Sequence, residues 1–285
     1  MATASDCAAL FRSIVRADLA GLLVCQRTAR SGNAEAVHGM RIQITRLRAA
    51  VRFFSPMVKD SQWRRLRTEL RWVHRTLGAV RDADILLDHV ARAPIRNAIA
   101  PGLERRLKTR SVKTRQLLKR ALSSKRFAKL MTDLRHWIDG GPWSDSVEKD
   151  QAKRRSRNAQ SYCARRIQRW HRKLVRRGLA LRHMEDPRRH RFRIRVKHLR
   201  YMAETLANVV PRADRKPLRK IKRSARRLQG ALGDLGDLKR WRILRSASAL
   251  RTSGTKAARA ASPKPEKHLL AAAIRAHDDL ANIDI

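Results

Sequence analysis

The feature that most constrains this fold is a stretch of sequence that occurs twice. Val37 to Phe54 can be laid over Arg189 to Leu206, so that His38, Met40, Arg41, Ile42, Leu47 and Arg48 fall on His190, Phe192, Arg193, Ile194, Leu199 and Arg200. A second segment follows in each half at nearly the same offset. Arg64, Leu66, Arg67, Arg71, Val73, Leu77, Gly78 and Asp82 fall on Arg219, Ile221, Lys222, Arg226, Leu228, Leu232, Gly233 and Asp237. Chance similarity between Arg-rich helices explains one such match more easily than two in the same order, so the pattern argues for an internal duplication with a period near 150 residues.

Each repeated segment reads as an amphipathic helix. Positions i, i+3, i+7 and i+10 of an α-helix lie within an arc of about 80°. His38, Arg41, Thr45 and Arg48 form one such stripe, and His190, Arg193, Lys197 and Arg200 form its counterpart. Beside them run apolar faces made of Met40, Ile44, Leu47 and Val51, and of Phe192, Val196, Leu199 and Ala203. Burial of those faces would leave the cations along the edge of a helix interface. The second segment carries Arg64, Arg67 and Arg71 on one arc, matched by Arg219, Lys222 and Arg226. Solvated helix faces usually intersperse signs, but these stripes are nearly free of carboxylates apart from Glu69 and Glu204. A solvated charged face remains the plain alternative for any single arginine. His38 and His190 fit a cap or core role as readily as ligation.

Outside the repeats, apolar residues recur at helical spacing and strand signals are nearly absent, so the expected fold is all-α. Asn33 and Asp186-Pro187 read as helix starts, Ser55-Pro56 as a stop, and Gly78, Gly140-Gly141-Pro142 and Gly233 as breaks. Asp82 and Asp237 then read as caps, or as ion-pair partners that aim a stripe arginine. Residues 6–246 form the expected domain, with repeats of about 6–142 and 143–246. A linker (Thr252 to Pro265) and a peripheral helix from Glu266 to about Ala281 fill 247–285.

The charge says what such a chain needs. Its 285 residues hold 68 Lys+Arg against 24 Asp+Glu, a formal net charge of +44 that would self-repel without an anionic partner. The apolar content of 42% still allows a real core. Arginine supplies 51 of the cations and lysine 17, and the planar guanidinium fork is the group that holds phosphate oxygens in pairs. Cys7, Cys25 and Cys163 are scattered, without a CxxC or His partner pattern, which points away from a disulfide framework or zinc site and toward a reducing compartment. With no basic leader and no apolar run of membrane length, the expected location is the cytosol.

With these residues in place, the sequence resembles the CHAD domain family, the conserved-histidine α-helical domains. Four ordered motifs carry the likeness: Val37 to Phe54, Leu77 to Leu86, His190 to Tyr201 and Leu228 to Asp237. It covers about Asp6 to Ser246. It implies two antiparallel bundles related by a pseudo-two-fold axis around a basic central groove, inorganic polyphosphate as ligand, and association with polyphosphate granules. Carried onto this chain, the polyphosphate-binding set is His38, Arg41, Arg48, Arg64, Arg67, Arg71, His190, Arg193, Lys197, Arg200, Arg219, Lys222 and Arg226. Two positions depart from the family pattern: Thr45 stands where arginine is usual and Gly236 where asparagine is common. CHAD domains are often joined to a CYTH triphosphate-processing domain, and its Glu-x-Glu-x-Lys strand is missing here.

The leading expectation is therefore non-enzymatic binding of inorganic polyphosphate, with no catalytic residues, metal or cofactor. Nonspecific nucleic-acid binding is the alternative, since the charge suits DNA or RNA and Trp63, Trp72, Trp137, Trp143, Trp170 and Trp241 could stack on bases. Those tryptophans mostly read as core. A phosphohydrolase would need clustered carboxylates for a divalent metal, and the sequence contains none. Oligomeric state is not encoded in any feature of the sequence.

Overall fold

The computed structural model describes residues 6–92, 101–145, 148–247 and 265–284, and among them there is no strand. They fall into two compact units, 6–156 and 157–247 with 265–284.

The first unit is built on α1 (Cys7–Arg30), α2 (Ala34–Phe53) and α4 (Ser61–Arg92), with the short α3 (Ser55–Val58) at the turn. Asn33 starts α2 as expected, its side chain accepting the Ala36 N–H at 2.9 Å. Met40, Ile44, Leu47 and Val51 are all buried against the neighbouring helices, each worth about 1.5 to 3 kcal/mol. Helices α5 (Pro101–Leu122) and α6 (Lys125–Gly140) complete the bundle, and Gly140-Gly141-Pro142 does end α6. The short α7 (Pro142–Asp145) and α8 (Lys149–Arg155) pack on α3, beyond the expected repeat boundary near residue 142.

An aromatic cluster forms this unit's centre. Trp63 stacks on Trp137 at 5.0 Å, and Phe11 meets Trp143 edge-on at 5.1 Å. Asp60 serves both local and tertiary structure: one carboxylate oxygen accepts the Trp63 N–H at 2.6 Å to cap α4, and the other accepts Trp137 Nε1–H at 2.9 Å. Trp63, Trp137 and Trp143 are core residues, Trp72 is half-buried under the Arg126 guanidinium at 4.2 Å, and the Trp241 side chain lies outside the described residues.

The second unit packs α10 (Asp186–Val209) along α11 (Arg215–Ala247), with α9 (Ala159–Gly178) and α12 (Glu266–Ala281) beside them. Phe192, Val196, Leu199 and Ala203 are buried, as the periodicity predicts. Three sequence expectations need correction. Gly78 and Gly233 do not break helices, because α4 and α11 run through them unbroken; Asp82 and Asp237 consequently lie inside helices and cap none. Asp186 opens α10 as expected but is not its cap: Glu185 holds that position, and Asp186 pairs with Arg189 at 3.3 Å. The final helix is not peripheral: Leu269, Ala273 and Leu280 are buried, and α12 packs on α11 and α9. The expected linker lies almost wholly outside the described residues.

Among the described residues no helix is long and apolar enough to cross a membrane.

Candidate functional site

In the first unit Arg41 and Arg48 of α2 lie on the side that faces α4. Arg41 is half-buried and its Nη1 donates to the main-chain oxygen of His74 on α4 at 3.2 Å. The approach is close because position 78 has no side chain; a Cβ there would sit 2.8 Å from Nη1. Thr45, the departure from the family's arginine, is buried and donates its hydroxyl to the Arg41 carbonyl at 2.7 Å, an internal bond that leaves no cation at this rung. His38 is half-buried, so it is not a core residue.

One turn beyond Thr45, Arg48 is half-buried, while Arg64, Arg67 and Arg71 are exposed on α4. Burial depresses the Arg48 pKa below the ordinary arginine value, and the charges of Arg67 and Arg71 push it the same way. Arginine stays protonated regardless. Arg48 thus holds its charge half-buried and within electrostatic reach of two further guanidiniums. The nearby carboxylate, Glu69, is engaged elsewhere: both its oxygens accept from Arg126 on α6, at 2.6 and 2.9 Å.

The second unit makes the corresponding contact at the corresponding place. Arg193 donates from Nε to the main-chain oxygen of Gln229 on α11 at 3.4 Å, and a Cβ at Gly233 would lie 3.3 Å from its Nη2. His74 and Gln229 occupy equivalent positions in the sequence overlay, as do Gly78 and Gly233. Arg200 is half-buried with its guanidinium 4.4 Å from the Tyr201 ring centroid, and Lys197 Nζ lies 5.7 Å from the same ring. Lys222 is half-buried and pairs with Glu204 of α10 at 3.2 Å. His190, Arg219 and Arg226 are exposed.

The structure thus sets Arg48 with Arg67 and Arg71 in one unit, and ties Arg41 and Arg193 to the helix facing each. Arg64, Arg219 and His190 stand on exposed faces. Three contributors escaped the sequence reading. Tyr201 could have been found from its place directly after Arg200. The carbonyls of His74 and Gln229 carry no side-chain signal at all.

No group of three or more His, Cys, Asp or Glu able to hold a metal exists among the described residues. Chemically, the arrangement offers guanidinium donors to oxyanions.

Comparison with known proteins speaks to the family and the fold. The family model for the CHAD domain matches residues 13–246. The crystal structure of the CHAD domain from the plant Ricinus communis is similar over 100% of this chain and 94% of its own, with 21% identity and a TM-score of 0.66. PptA from Streptomyces chartreusis is similar over 98% of this chain and 99% of its own, with 17% identity and a TM-score of 0.65. No curated protein matches the sequence. At these identities the structural likeness speaks for the fold.

Proposed function

The chain belongs to the CHAD domain family, and from that premise we propose that it binds inorganic polyphosphate, non-enzymatically, along the basic helix edges of its two repeats. The observation that carries this reading is the Arg48, Arg67 and Arg71 cluster, in which burial and like charge act together on Arg48. Crowded guanidiniums are unfavourable alone, whereas each charge-assisted hydrogen bond to a phosphate oxygen contributes about 1.5 to 3 kcal/mol. A linear chain of phosphates presents such oxygens at short, regular intervals and bends to follow a helix seam. The recurrence of the arginine-to-carbonyl contact in both units supports a duplicated binding element.

Nucleic acid, the competing polyanion, is less well served. Base stacking needs exposed aromatic faces, and Trp63, Trp137 and Trp143 are buried. The test is titration of the full chain with polyphosphate of defined length and with single-stranded DNA of equal charge, across a salt series. Wild type is expected to prefer polyphosphate, and Arg41→Ala/Arg193→Ala to lose most of that preference. Equal affinities and an unaffected double variant would refute the reading. Residence at polyphosphate granules follows from it, and is checked by imaging the tagged chain in polyphosphate-rich and polyphosphate-depleted cells.

A further inference from the structure

The outward side of α9 is a row of arginines. Arg165, Arg169, Arg172 and Arg176 stand at i, i+4, i+7 and i+11, within an arc of about 60°, and all four are exposed, as is Lys173 beside them. The opposite side of the helix, with Ile167, His171, Leu174 and Gly178, is buried where α9 packs on α10 and α12. The row therefore points away from both neighbours, along about 16 Å of helix. Ala159–Gly178 includes no Asp or Glu. The unit's ion-paired carboxylates are held by other cations: Asp186 and Glu266 by Arg189, Glu204 by Lys222 and Asp279 by Arg227.

Such a row is not the general surface of a basic chain. Helix α5 is as rich in cations, but its line at the same spacing reads Arg105, Thr109, Val112 and Gln116, all exposed. On α1, Ala20 and Val24 turn outward between Arg16 and Arg27, and Arg16 is paired with Asp139 at 2.7 Å. On α6, Lys129 is paired with Asp133 at 3.0 Å.

We propose that the outer face of α9 is a docking surface for duplex nucleic acid, which it grips by the phosphate backbone without reading bases. About 16 Å of duplex axis carries about ten phosphates, so a row of this length meets a dense line of charge, and counterion release supplies the affinity. An open face holds its ligand from one side and favours a polyanion that is already stiff. A duplex keeps its direction over about 150 base pairs and loses little conformational freedom on lying along a straight helix. Flexible polyphosphate loses more there than in a seam. The buried tryptophans are no obstacle, because no base is stacked. An anionic membrane is matched less well, since α9 keeps its apolar residues Ile167 and Leu174 inside the unit and has no apolar face to insert. None of these arginines belongs to the polyphosphate-binding set, so the surface stands independently of that reading.

The test is titration of the full chain with a mixed-sequence DNA duplex across a salt series, with inorganic polyphosphate of one defined length alongside. One variant is Arg165→Gln/Arg169→Gln/Arg172→Gln/Arg176→Gln, and a second has the same four arginines replaced by lysine. A third, Arg105→Gln/Arg106→Gln/Arg110→Gln/Arg120→Gln, removes equal charge from exposed positions of α5, which lacks the row. The α9 glutamine variant is expected to bind duplex about tenfold or more weakly and to flatten the dependence of log affinity on log salt by about 3 to 4. Its polyphosphate affinity should stay close to wild type. The lysine variant should keep duplex binding, because charge and not fork geometry is used, and the α5 variant should lose far less. Equal losses from α9 and α5 would assign duplex binding to net charge and overturn the proposal. So would a loss for polyphosphate as large as that for duplex, or retained duplex binding with loss of binding to phosphatidylserine vesicles. Unchanged polyphosphate affinity in Arg41→Ala/Arg193→Ala would instead count against the polyphosphate reading and leave the α9 surface standing.

Discussion

Arg41 occupies the space that a side chain on Gly78 would need: a Cβ at position 78 would lie 2.8 Å from its Nη1. The glycine sits in the middle of α4, where alanine would favour the helix by about 1 kcal/mol. Gly78→Ala is thus expected to leave thermal stability little changed while forcing Arg41 off the His74 oxygen. Polyphosphate affinity should drop several-fold. The equivalent approach at Gly233 is looser, 3.3 Å from Arg193, so Gly233→Ala should cost less. Paired titrations and thermal melts of both variants check the order.

Asp18 is buried on α1, and one of its oxygens, Oδ2, has no hydrogen-bond partner. Burial raises its pKa to about 7, against the pull of the Arg46 charge. A carboxyl whose folded pKa lies above its unfolded value contributes stability that is complete in acid and is lost as pH rises through about 7. The protein is expected to gain stability on going from about pH 8 to about pH 5 through this group, and Asp18→Asn to lack that gain. Urea denaturation at the two pH values measures it; parallel slopes in wild type and variant would contradict it.

The docking of α12 has the opposite pH dependence. His171 on α9 donates from Nε2 to the main-chain oxygen of Leu280 at 2.7 Å. Burial lowers its pKa below the usual histidine value; the Leu280 bond opposes this and the His277 charge adds to it. A depressed folded pKa means stability present above the unfolded value near 6.5 and lost as pH falls. Hydrogen exchange across Glu266–Ala281 should therefore quicken in mild acid relative to the rest of the unit. His171→Gln, which keeps an N–H donor and cannot take the extra proton, should abolish the difference.

Asp60 links the start of α4 to the aromatic centre. Asp60→Ala removes a cap worth about 1 kcal/mol and leaves the buried Trp137 N–H without its acceptor, a further cost of about 1 to 3 kcal/mol. A lower denaturation midpoint is expected, with polyphosphate affinity retained wherever the protein remains folded.

The all-α class and the buried faces of α2 and α10 were legible because helical periodicity writes them directly into the spacing of Met40, Ile44, Leu47 and Val51 and of Phe192, Val196, Leu199 and Ala203. Gly78 and Gly233 misled for a definite reason. Read locally, a glycine between helical stretches is a terminator, but here the missing side chain makes room for an arginine from another helix. That is a tertiary cause with no local signature. The Asp186-Pro187 pair marked the start of α10 correctly to within one residue: the helix begins at Asp186 itself, with Glu185 in the cap position. The packed role of α12 was hidden by its small residues: Ala273 and Ala276 make a close-fitting face without the bulk that marks a core helix.

The family match stops at residue 246, but α12 lies beyond it and covers α11 and α9 with Leu269, Ala273 and Leu280. Anyone who trims the chain to the family boundary would strip a lid from greasy surface that no water is meant to see. Such a fragment would be prone to clump, and its poor behaviour would say nothing about what the intact molecule binds.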